Sequence, residues 1–396
     1  MEIRFPMWIR VVPAPGARVF AMLSMIEASG RALIAGVLPL EAYRLLEDAQ
    51  TISLVYTVVG AVAFATSFLV PLALRAVRRK WIFSFGVLCM VAAAAMLALS
   101  STVPYVAALQ LRALSVVCVN ISLNLYILDY IRRKDFVKSE PLRLAFMGVA
   151  WSVGPAAGIW LNSHFGLFWV AFPAAGLSAM ALAFFWYLRL IESPVVAPAT
   201  TRRQPMPWQF IRRYLAQPRL RLAWIIPFGR STYWTTFFVY PPIYIVKNGG
   251  GEGTVAAMLA GGQALLLISP VFGRLGARLG LRRVIMAAAI LVGVVSIAVG
   301  LTQPSPMVAA AMFVLAASGA TALDALGNIP FLRAVRHYER SEMTSVFRTY
   351  IEASQLLPSM IFAAVLAFAP LPAVFVVLGL TLLMTAWFAR HLPRRM

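Results

Sequence analysis

Residues Gln50–Lys80 read QTISLVYTVVGAVAFATSFLVPLALRAVRRK. From Gln50 to Leu74 no charged side chain interrupts the run; Arg75, Arg78, Arg79 and Lys80 then follow within six positions. A helix rises about 1.5 Å per residue, so roughly 20 apolar residues cross the ~30 Å of hydrocarbon in a bilayer. The stretch is long enough to span a membrane, and it ends in a cationic loop suited to an anionic membrane face.

Eleven further segments read the same way, giving expected spans at 18–40, 50–74, 81–101, 103–128, 141–162, 166–189, 221–246, 254–275, 283–302, 306–332, 342–368 and 371–390. Twenty-nine of the 35 Lys and Arg fall on alternate loops of one side, two (Arg44 and Lys247) on the other, and four within spans. Basic loops stay cytoplasmic, so both termini are expected there. Met1–Ala17 is read as a cytoplasmic lead-in to a retained first span.

Composition agrees. The 396 residues are 61% hydrophobic and 12% charged, where soluble domains run at about 45–50% and 25%. A water-soluble enzyme is excluded, and a multi-pass protein of the cell (inner) membrane is expected. The net charge of +21 sits in loops between apolar runs, which argues for the lipid bilayer and against nucleic acid. Two cysteines and three histidines leave no disulfide framework, metal site or cofactor to expect. No Gly-x-x-x-x-Gly-Lys-Ser/Thr loop is present to drive transport with ATP.

The chain repeats. Lys80 and Arg282, Pro104 and Pro306, and Ser139-Glu140 and Ser341-Glu342 each stand 202 positions apart. Six spans per half at one offset predict an all-α membrane protein of twelve transmembrane helices in two pseudo-symmetric six-helix bundles, residues 1–189 and 221–396. The linker, 190–220, carries a Pro/Thr-rich stretch and then PWQFIRRYL at 207–215. That segment reads either as a surface helix dipping Trp208, Phe210, Ile211, Tyr214 and Leu215 into lipid or as a solvated linker.

Three motifs resemble those of the major facilitator superfamily. PLALRAVRRK at 71–80 keeps the basic end of the family's loop after the second span, and GRLGARLGLRR at 273–283 matches it more closely. The family's acid is missing from both, with Ala277 in its place in the second. GVAWSVGPAAG at 148–158 is similar to the Gly-Pro motif of proton-coupled antiporters and exporters, and Arg112 matches the family's intramembrane arginine. The resemblance implies alternating access in a monomer, with gating loops at Arg78, Arg79, Lys80, Arg278 and Arg282. Asp129, at the end of the fourth span, is placed to pair with the first cluster.

Ionisable side chains inside a bilayer are costly and mark function by default. Seven occur: Glu27, Arg31, Arg112, Arg230, Asp324, Arg348 and Glu352. Glu27 lies nine residues past Arg18, about 14 Å deep, and Arg230 lies nine past Arg221. Glu27, Arg112, Asp324 and Glu352 are the candidates for proton coupling. Arg31, Arg230 and Arg348, with the aromatics Trp151, Tyr233 and Trp234, are the candidates for binding a small organic substrate. Glu27 with Arg31, and Arg348 with Glu352, also read as intrahelical ion pairs that only neutralise each other. Three functions stay open: proton-coupled export of a small organic solute, which is the expectation here; uptake or exchange of an organic anion, clamped by Arg31 and Arg230; and a non-transporting receptor or assembly factor on the same scaffold.

Overall fold

The computed structural model describes residues 16–74, 76–131, 136–188, 207–335 and 340–392, which are helical with short turns and no strand. The first six helices are α1 (Ala17–Leu46), α2 (Ala49–Ala73), α3 (Arg79–Leu97), α4 (Thr102–Tyr130), α5 (Phe136–Phe165) and α6 (Phe168–Tyr187). A short α7 (Pro207–Leu215) precedes α8 (Pro218–Lys247), α9 (Glu252–Ala264) and α10 (Ser269–Leu279). Then come α11 (Leu281–Thr302), α12 (Pro306–Leu326), α13 (Ile329–Ala334), α14 (Arg340–Leu366) and α15 (Pro372–Ala389). A 3₁₀ turn, Leu265–Ile268, joins α9 to α10 where Pro270 withdraws a backbone donor.

Among the described residues, ten helical runs are long and apolar enough to cross a membrane. The chain is therefore a multi-pass membrane protein. The runs take in ten of the twelve expected spans; the other two, α5 and α8, form helices of 30 residues each. The turn into α2 is fixed by Asp48, whose carboxylate accepts the Thr51 amide and hydroxyl, each at 2.8 Å.

The helices before α7 pack among themselves, chiefly α1 on α5 and α6, and α3 on α4 and α6. Those after it do likewise, with α11 on α12 and α15, and α12 on α8 and α9. Three seams join the groups: α2 against α14, α5 against α9, and α1 against α8. Helix α1 meets α5 at unusually short range. A Cβ on Gly158 would overlap the Leu33 carbonyl, and one on Gly154 would stand 2.5 Å from Ala32 Cβ. The Gly-Pro segment therefore acts here by removing side chains from a helix–helix interface.

The α7 helix forms as one of the two linker readings expected. Its Tyr214 does not dip into lipid, however; it is 2% exposed, packs with Leu220, Phe331 and Phe347, and donates to the Leu220 carbonyl at 2.9 Å. Ile211 and Leu215 remain exposed, while the side chains of Trp208 and Phe210 lie outside the described residues.

Candidate functional site

A cavity of about 590 Å³ opens between the two groups of helices. Its walls are helical stripes at i, i+4 and i+7 spacing, where side chains share a face. Helix α2 contributes Tyr56, Gly60, Phe64, Ser67 and Pro71; α4 contributes Arg112, Val116, Asn120 and Asn124; α14 contributes Arg348, Glu352, Gln355 and Ser359. Arg31 from α1, Trp151 from α5, and Trp234 and Phe238 from α8 complete it. The lining is mostly apolar and aromatic, with charge confined, among the described residues, to four side chains.

Arg31 reaches the cavity with its charge already matched. Its Nη2 donates to Glu27 Oε2 at 2.8 Å and its Nε stands 2.8 Å from Oε1, and Glu27 itself does not line the cavity. Arg112 has no ion-pair partner among the described residues, and its Nε is buried with no hydrogen bond. Glu27, Arg31, Tyr56 and Tyr105 all lie within its electrostatic reach. Arg348 and Glu352 stand one turn apart on α14, yet among the described residues no ion pair joins them, and Glu352 Oε2 is buried without a partner. Of the two intrahelical pairings left open by the sequence, the one at Glu27 and Arg31 is present, and the one at Arg348 and Glu352 is absent among the described residues. A helix neighbour at i+4 permits a bond without imposing one.

Arg230 and Asp324 lie outside the lining. Arg230 Nη1 stands 3.1 Å from Asp324 Oδ1, and its Nη2 donates to the Tyr350 hydroxyl at 3.1 Å. Asp324 Oδ2 accepts the Trp234 indole N–H at 2.7 Å. Arg31 and Arg230 thus do not face each other across the cavity; the second half's cation there is Arg348. Tyr233 is also elsewhere, 1% exposed and donating to the Phe313 carbonyl at 2.8 Å. It sits one position from Trp234, and adjacent helix residues point about 100° apart.

The cavity reaches from mid-helix toward the α2–α3 end, as Pro71 and Leu125 show. The opposite end is closed across the seams. Ser53 and Tyr240 share a hydrogen bond of 2.8 Å, Ser163 donates to Glu252, and the Trp151 and Phe238 rings lie 5.5 Å apart at 63°. Of the gating-loop candidates, Arg78 and Arg278 are exposed, Arg282 is half-buried, and Lys80 lies 5.5 Å from the Trp186 ring. Arg79 is 8% exposed with its guanidinium 5.9 Å from the Tyr126 ring. The Asp129 side chain lies outside the described residues.

Sequence reading missed Tyr56, Phe64, Phe68, Phe238 and Gln355. The signal was available for some of them: Arg348, Glu352, Gln355 and Ser359 make a polar stripe at helical spacing on the span expected at 342–368. The aromatic members carry no such mark, because a ring facing lipid and a ring facing a cavity look alike in sequence.

Helices enclosing a charged cavity midway along their length, closed at one end, define a membrane carrier. The chain belongs to the Major Facilitator Superfamily, whose family description matches residues 20–269; it is a transporter and not an enzyme. No curated protein matches the sequence. Among solved structures the fold is similar to a POT family transporter in complex with thioalcohol conjugated peptide (TM-score 0.74, 13% identity, 94% of each chain covered). It is also similar to the peptide transporter POT in complex with sulfate (0.74, 12%, 96% of each). The nucleoside transporter NupG is a third (0.67, 15%, 94% of this chain and 98% of that).

Proposed function

We propose that the protein takes up a small organic anion together with a proton, by alternating access in the cell (inner) membrane. The carrying observation is the charge of the cavity. Arg31 is matched by Glu27, and among the described residues Glu352 is the one carboxylate in the lining, so Arg112 remains as an uncompensated cation there. An anion entering this site gains attraction from Arg112 and Arg348 and meets repulsion from ionised Glu352. A proton on Glu352 removes the repulsion, so proton and anion favour each other's binding, which is the condition for moving together.

Export in exchange for protons, the motif-level expectation, asks instead that substrate and proton compete for one group. A cation or neutral solute would do that at Glu352, but the surplus of arginine speaks against such a solute. In this reading twelve spans place both termini in the cytoplasm, and the halves 1–189 and 221–396, joined by 190–220, rock about the cavity in a monomer.

The test is flux in proteoliposomes carrying an internal pH indicator, with a panel of organic carboxylates and phosphates. Accumulation of an anion with acidification of the lumen is expected. Glu352→Gln is expected to abolish accumulation driven by a proton gradient while keeping anion-for-anion exchange. Protons moving opposite to the solute overturn the proposal.

A further inference from the structure

The geometry points to an aromatic monocarboxylate as the substrate, its carboxylate on Arg112 and its ring against Trp151, Trp234 and Phe238; this rests on the organic-anion reading above. The charge count sets the valence. In the proton-free site, with Glu27 bonded to Arg31 and ionised Glu352 offsetting Arg348, one surplus positive charge remains and one negative charge on the solute balances it; a proton on Glu352 then raises the surplus to two. A phosphate monoester carries about −1.5 to −2 near pH 7 and overshoots the proton-free balance. Arg112 offers a planar fork whose buried Nε has no protein partner, and such forks take a carboxylate by two parallel bonds.

The walls set the shape. Rings come from both groups of helices: Tyr56, Phe64 and Phe68 on α2, Trp151 on α5, Trp234 and Phe238 on α8. Rings stack offset or edge-to-face on other rings, which favours a planar solute over a saturated one of equal size. The Trp234 plane is held in advance, because its N–H is fixed on Asp324 and Asp324 on Arg230. Asp324 and Arg230 are in this sense positioning residues for a wall they do not form.

The test is binding to the purified full-length chain in detergent at alkaline pH, where Glu352 is ionised, read as ligand-dependent thermal stabilisation and as calorimetric affinity. The probes are naphthoate, its amide, the naphthalene dicarboxylate, naphthyl phosphate and the fully reduced decalin carboxylate. Naphthoate is expected to bind, the amide and the two dianions to bind at least about tenfold more weakly, and the decalin acid about tenfold more weakly. Arg112→Gln is expected to lose naphthoate binding, and Arg112→Lys, which keeps the charge without the fork, to weaken it. Trp234→Phe is expected to narrow the gap between naphthoate and the decalin acid.

Equal affinity for naphthoate and the decalin acid overturns the aromatic assignment and leaves the anion reading standing. Tighter binding of the dicarboxylate or the phosphate overturns the single charge. Equal affinity for naphthoate and its amide overturns this inference and the anion reading together.

Discussion

Trp234 and Asp324 are joined by a 2.7 Å hydrogen bond from the indole N–H to Oδ2, while the other oxygen of the same carboxylate faces Arg230 at 3.1 Å. One acid thus neutralises a buried cation and fixes an aromatic wall of the cavity. Removing it as Asp324→Leu strands Arg230, whose side chain is 12% exposed, and such losses cost about 3–5 kcal/mol. A large drop in thermal stability in detergent is expected. The double variant R230M/D324L is expected to recover much of it, since an apolar pair of similar volume is often as stable as a buried ion pair. A double variant no more stable than the single one would show that the loss does not come from the stranded charge.

The α1–α5 contact gives a sharper expectation. Gly158→Ala pushes a methyl into the Leu33 carbonyl, and overpacking costs about 1–3 kcal/mol. Gly176→Ala, on α6 with open space around its missing Cβ, is expected to be neutral or to stabilise by about 0.5–1 kcal/mol. Thermal unfolding of the two variants side by side checks this; equal effects would mean the close approach does not govern stability.

Closure of one end depends on few polar ties. Tyr240→Phe removes the hydroxyl shared with Ser53, a bond contributing about 0.5–1.5 kcal/mol net. The ratio of open to closed at that end is expected to rise by about two- to tenfold. Spin labels at Glu47→Cys and Asn248→Cys, both exposed positions near that end, read it as a longer distance population. An unchanged distribution would remove this bond from the closure.

Asp48 lies in the turn outside the spans. Burial pushes its carboxyl up, but the bonds from the Thr51 amide and hydroxyl, with Gln50 and Lys247 nearby, outweigh that and hold it below the usual carboxylate range. A group with a lowered folded value stabilises fully above its ordinary range and loses that contribution as the pH falls through the folded value. Asp48→Ala is expected to cost about 0.5–2 kcal/mol, as lost helix caps do, at neutral pH, and less on acidification. Thermal unfolding from pH 7 down to about 3 measures it, and a pH-independent loss would contradict the assignment.

Most of the fold was legible because span length and loop charge are one-dimensional signals. The Gln50–Leu74 run became α2 almost to the residue. Partners of buried charges were less legible. Arg31 met its neighbour Glu27 as spacing suggested, but Arg230 met Asp324, 94 positions away and on another helix. Spacing along one helix fixes which side chains share a face; it carries no information on which helix covers that face. Tyr233 and Trp234 divide for the same reason, one facing α12 and the other the cavity.

The 3₁₀ turn at Leu265–Ile268 makes two levers of the 28-residue run Glu252–Leu279. Both levers pack on α12, the far one where Gly276 meets Leu326, but only the near one is also tied to α5, through Glu252 and Ser163. In the proposed carrier cycle a joint at that turn would let the far arm swing while the near arm keeps its grip. On the alternating-access reading proposed above, the two mouths of the carrier then need not move in lockstep, and a solute enclosed on both sides before its release on either is the expected intermediate.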